Sequence, residues 1–169
     1  MAIIKPNNNT ISAITALPAA ITTGKVLQAV TATHSTAVTV TGTTFTSSGL
    51  TASITPASTS NKILILTTSP IQTFGDGSSS SGRTGKITLR RGGATDTELT
   101  TMEIGINART PDTSTLPRPY NIVTFSFLDS PNTTSSQTYT VGIRGDGACD
   151  ITAQGGDRTS SMTLLEVAA

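Results

Sequence analysis

The stretch 120–144, YNIVTFSFLDSPNTTSSQTYTVGIR, leaves this chain few ways to fold. Val123, Phe125 and Phe127 alternate with Thr124, Ser126 and Leu128, and Tyr139, Val141 and Ile143 repeat the alternation after an interruption. A period of two sends successive side chains to opposite faces, so the stretch predicts two strands, each with one buried face. Asp129, Ser130, Pro131 and Asn132 start turns and interrupt a ladder, which predicts a reversal over 128–137 and reads as a hairpin. Tyr120, Phe125, Phe127 and Tyr139 are most of the few aromatic side chains in the chain, so the core is expected to anchor there.

The same period recurs along the chain with turn signals between. Strands are expected at 25–31, 36–40, 50–55, 61–68, 86–90, 97–106, 149–153 and 161–167, beside the two above. Residues 61–68 contain KILILTT, with apolar side chains on both faces from Ile63 to Leu66, the mark of a strand covered on both sides. Such a strand belongs at the centre of its sheet or against another subunit. GDGSSSSG at 75–82 reads as a flexible loop. Residues 107–119, with three prolines, read as a long connection that is functional or crosses between sheets. About ten strands at this spacing, with no long helix, predict an all-β fold: a single antiparallel β-sandwich of jelly-roll type. The sandwich domain is placed at 24–169 and is preceded by an extended N-terminal arm, 1–23. The arm's Ile3, Ile4, Ile11, Ile14, Leu17 and Ile21 are too few and too β-branched for a stable isolated helix. They need a partner surface.

Composition removes several functions. Serine and threonine make up about a third of the chain while charged residues are 12%, a balance that favours strands and turns. A net charge of +1 with scattered basic residues gives no footprint for nucleic acid. No apolar run approaches the ~18 residues of a spanning helix, so no membrane role is expected. The opening residues, broken by Asn7, Asn8, Asn9 and Pro18, lack the pattern of a signal peptide, which points to a protein made and used without secretion.

Motifs that tempt a chemical reading have simpler explanations. GSSSSGRT at 77–84 lacks the P-loop lysine and is followed by a strand pattern rather than a helix. Arg144, Gly145 and Asp146 spell RGD, yet directly after a strand this reads as a tight turn, with Gly145 and Gly147 allowing positive φ. The sequons at 8–10 and 132–134 mean nothing without secretion. Cys149 is the one cysteine, so one chain makes no disulfide and no thiolate cluster, and it reads as a small buried hydrophobe. His34 is the one histidine and reads as a surface residue with no nucleophile or base beside it. Asp146, Asp150 and Asp157 are not spaced as a calcium loop. No catalytic residue, cofactor or metal site is expected; a polysaccharide-cleaving sandwich enzyme is the reading from another class.

GKVLQAV at 24–30, GLTASITPASTSNKILIL at 49–66, FSFLDSPNTTSSQTYTVGIR at 125–144 and SSMTLLEV at 160–167 together resemble a module of tailed-phage virion proteins, cyanophages among them. That module is similar to the β-sandwich heads of tail fibres and of small capsid decoration, or cement, proteins. The resemblance spans most of 24–167 in order and implies a homotrimer on the virion surface, with no cofactor and no catalytic residues to carry over. A short arm in place of a long shaft favours a free-standing knob. The expectation is therefore a capsid cement protein made in the host cytoplasm and bound to the major capsid protein on the outer surface of a phage head. A tail fibre or receptor-binding tip is the alternative. The arm, through Ile3, Ile4, Ile11, Ile14, Leu17 and Ile21, would be the capsid-docking element.

Overall fold

The computed structural model describes residues 25–75, 83–106, 120–146 and 149–169. They form ten strands and no helix: β1 (Val26–His34), β2 (Val38–Val40), β3 (Thr46–Ile54), β4 (Lys62–Gly75), β5 (Arg83–Arg91), β6 (Thr97–Ile106), β7 (Tyr120–Asp129), β8 (Gln137–Arg144), β9 (Cys149–Ala153) and β10 (Ser160–Val167). Every pairing is antiparallel, and the strands divide between two sheets. In the first, β4 is central, with β7 on one side; on the other lie β10 and then β9, which pair outward with β1 and β2. The second sheet runs β3-β8-β5-β6. If β1 with β2, and β9 with β10, are each taken as one broken strand, two four-stranded sheets remain, in the order of a jelly roll.

That order corrects the hairpin reading of 120–144. The two strands exist, but β7 pairs with β4 in the first sheet and β8 with β3 and β5 in the second. The turn residues carry the chain over the end of the sandwich, with Asn132 at φ 53°. Both strands have a single apolar face, and the core takes those faces from opposite layers. Val123 and Phe125 enter from one sheet, Tyr139, Val141 and Ile143 from the other, and all are buried.

Several strands are longer than expected, β3 and β4 among them. β3 starts at Thr46, and its register slips between Ser47 and Thr51. The slip surrounds Gly49, whose φ of +86° suits only glycine and whose Cβ position is taken by the His34 ring. β4 continues past Thr68 to Gly75 through Pro70, a residue normally excluded from a central strand. The Pro70 carbonyl accepts from Gln154 N (3.1 Å), so its nitrogen points to the same side, where β10 has ended and β9 begins. No ladder bond is lost there, because no strand stands opposite.

The core is built from alternate residues of both layers, among them Leu50, Ile54, Ile63, Ile65, Ile87, Leu89, Ile151, Met162 and Leu164. Two carboxylates share it. Glu166, fully buried, accepts from Gln28 Nε2 (2.6 Å), Asn61 Nδ2 (2.6 Å) and Ala57 N (2.7 Å), clasping the 55–61 loop against β1 and β10. Asp129 accepts from Tyr139 Oη (2.7 Å) and pairs with Arg91 (3.2 Å), which ties the two sheets together.

Candidate functional site

Because side chains alternate, each sheet turns one face to the core and one outward. On the first sheet the register lines the outward residues of four strands into rows. One row is apolar: Ala29, Leu165, Leu64 and Leu128. The next is Thr31, Thr163, Leu66 and Ser126, and the third is Thr33, Ser161, Thr68 and Thr124. A shallow groove of about 350 Å³ runs through the hydroxyl rows, lined by Leu66, Thr68, Thr124, Ser126, Ser161 and Thr163 among others.

Three properties set this face apart. Of the seven large apolar side chains exposed among the described residues, six are on its strands: Val26, Leu27, Leu66, Tyr120, Ile122 and Leu128, with Ile122 74% exposed. The seventh, Met102, is on edge strand β6. Charge is nearly absent: in those rows and the flanking Val26, Val167 and Lys62 row, Lys62 is the one ionisable side chain. And the hydroxyls of Thr31, Thr33, Thr68, Thr124, Ser126, Ser161 and Thr163 have no side-chain hydrogen bond among the described residues.

The outer face of the second sheet is different. Its charges are paired, Lys86 with Glu103 (3.2 Å) and Arg90 with Glu98 (2.7 Å). Its hydroxyls bond one another, Thr101 to Thr88 (2.9 Å) and Ser53 with Thr138 (2.7 Å). Phe45 roofs part of it, with the guanidinium groups of Arg90 and Arg144 at 4.6 and 5.1 Å from its ring. Most of this face's groups are met internally, although Nε of Arg90 and of Arg144 is buried without a partner among the described residues; the first face leaves its hydroxyls to water or to a partner.

The expected apolar duality of KILILTT is therefore half internal. Ile63 and Ile65 are in the core, whereas Leu64 is half-buried and Leu66 is 40% exposed on the outer face. The docking-arm residues Ile3, Ile4, Ile11, Ile14, Leu17 and Ile21 lie outside the described residues, as do the 107–119 connection and most of the 75–82 loop. Where the phosphate-loop resemblance would need a helix, the chain runs as β5. The RGD residues are built into the fold. The Arg144 guanidinium donates to Thr43 O (3.0 Å), Gly145 N donates to Gly42 O (2.9 Å), and Asp146 accepts from Thr84 N (3.0 Å). Gly145 does not use the positive φ open to it; Cys149 O occupies the space of a Cβ there. Cys149 is buried, as expected. His34 departs from the surface reading: it is half-buried against Gly49, and its Nε2 is buried without a partner. Among the described residues no three His, Cys, Asp or Glu side chains converge as metal ligands would.

No protein-family model matches the chain, and no curated protein sequence matches it. Among solved structures, the infectious bursal disease virus VP2 subviral particle is similar at 13% identity and a TM-score of 0.36, over 84% of this chain and 38% of that one. Infectious bursal disease virus Gx strain is similar at 14% identity and a TM-score of 0.34, over 83% of this chain and 38% of that one. The chain thus spans well under half the length of each of these two structures.

Proposed function

We propose that this chain is a structural protein of a phage virion, a cement protein that binds the outside of the head as a homotrimer and stabilises it. The observation that carries the reading is the outer face of the first sheet, four strands wide, nearly uncharged and holding most of the exposed apolar side chains. Large exposed apolar patches mark association surfaces. The sequence resemblance to virion modules supports it, and its segments coincide with the two buried clasps. Ala57, Asn61 and Glu166 fall in two of them, and Asp129 with Tyr139 in a third. Those are fold-preserving residues, which suits a protein whose work is to be a stable block and not a catalyst. In this reading residues 24–169 are the knob. Residues 1–23 dock it to the major capsid protein through Ile3, Ile4, Ile11, Ile14, Leu17 and Ile21, by strand addition to a sheet edge of the shell.

The test is to find the chain in particles. Gold-labelled antibody on purified virions should decorate heads, a chain truncated of residues 2–23 should no longer decorate them, and heads lacking the chain should rupture at lower temperature. Label confined to tails would replace this reading with the fibre-tip one. Absence from virions would end both.

A further inference from the structure

We infer that the outer face of the first sheet, the surface of β1, β10, β4 and β7, is the interface between copies of this chain. The inference rests on the virion reading only for the expectation of a trimer, and it names the surface through which that trimer forms. In a cyclic trimer each copy turns this face to the common axis, so the row Ala29, Leu165, Leu64 and Leu128 of one copy packs on its two neighbours.

Four strands ~4.8 Å apart and about nine residues long at ~3.3 Å each give a face of roughly 600 Å² in plan. A trimer divides that face between two neighbours, so each contact through it is smaller than the ~800 Å² per partner of a standard interface, and the trimer is held by two such contacts per copy. The chemistry favours a copy over a foreign partner. Unlike partners are commonly steered and discriminated by complementary charge, and in the four rows of this face Lys62 is the one ionisable group, Arg158 lying over Tyr120 (3.5 Å) at the other end of β7. Homomeric interfaces are the more apolar class. An uncharged face also meets its own copy without like-charge repulsion. The hydroxyls of Thr31, Thr163, Ser126, Ser161, Thr68 and Thr124 have no internal side-chain partner, and each is both donor and acceptor, so copies can satisfy one another. Hydroxyls of the second sheet are already bonded to each other.

The experiment compares the wild-type chain, Leu66→Lys and Ser53→Lys by native mass spectrometry and sedimentation equilibrium at micromolar concentration. Circular dichroism checks folding. Leu66 is central to the face and 40% exposed, so a monomer accommodates lysine there, while an interface must bury an unpaired charge. Ser53 is exposed on the outer face of the second sheet. Wild type and Ser53→Lys should share one oligomer, and Leu66→Lys should associate about a hundredfold more weakly or not at all. An unchanged Leu66→Lys oligomer, or a wild-type monomer, overturns the inference. If Leu66→Lys does not fold, hydroxyl-radical footprinting of the wild-type oligomer decides. Leu66 and Leu128 should be labelled less in the oligomer than in the same chain diluted until it dissociates, with Met102 unchanged, and no difference would overturn the proposal. A Leu66→Lys chain that still trimerises and still decorates heads removes this inference alone. A wild-type trimer that Leu66→Lys dissolves, but that is absent from virions, removes the virion reading alone.

Discussion

Glu166 and Asp129 are both carboxylates on the inner face of the first sheet, and they are held in opposite ways. Glu166 meets neutral donors: two amide side chains and the backbone N–H of Ala57. Burial pushes its carboxyl up, but hydrogen bonds from Asn61, Gln28 and the backbone of Ala57 and Ser58 outweigh that and hold it below the usual carboxylate range. Asp129 has a cation, Arg91, and a phenol, Tyr139. Burial and the neighbouring carboxylate keep that phenol protonated far above neutral pH, so it is a permanent donor. Glu166 holds a loop to the edge of one sheet, whereas Asp129 holds one sheet to the other. A buried charge can thus be met by dipoles alone when enough of them converge, and it then depends on all of them.

Breaking the pair starts with Glu166→Ala. Three donors lose their acceptor in a dry site, and the chain should lose about 3–5 kcal/mol in urea unfolding. A loss under about 1 kcal/mol would mean the clasp does not hold the 55–61 loop. Asp129→Ala should cost somewhat less, about 2–4 kcal/mol, because Arg91 is partly exposed and can turn to water. Tyr139→Phe removes one buried hydrogen bond and should cost about 1–2 kcal/mol. Its cost should largely vanish in the Asp129→Ala background, a coupling that a double-mutant cycle reads directly. The smallest effect is in pH. The carboxyl of Glu166 is lowered in the folded state, so its contribution is complete above the ordinary carboxylate range and fades as pH falls through the folded value. Urea midpoints followed from pH 7 to pH 3 should fall less in Glu166→Gln than in wild type; equal slopes would separate the clasp from acid sensitivity.

Most of the fold was legible because the strands keep their period: all ten expected segments are strands, and 97–106 and 149–153 match to the residue. The errors sit where a local signal competes with tertiary context. The strand expected to end at residue 68 runs on through Pro70, because the neighbouring strand is broken at that level and proline removes no ladder bond. The turn at 128–137 reads as a hairpin because nothing local distinguishes a reversal within a sheet from one between sheets. The clasps carried a signal that went unread: Glu166 shares the inward parity of Met162 and Leu164, and Asp129 that of Val123 and Phe125. A charge on an apolar period calls for a distant partner, but which one depends on the fold; Glu166 and Asn61 are 105 residues apart. The outer face was half legible. KILIL announces a second apolar face, yet the row it joins exists only through the register of four strands.

The paired breaks between β1 and β2 and between β10 and β9 leave β4, with β7 alongside it as far as Gln72, to run unbroken across both halves of the sheet. Each half borders β4 through its own ladder, so the three-residue β2 and five-residue β9 can open without unzipping β1 and β10. Amide exchange in this layer then has two tiers: a reluctant one around residues 62–68, and a more yielding one around 71–75. The molecule carries a fault line across one sheet, and β4 and β7 are the rods that bridge it.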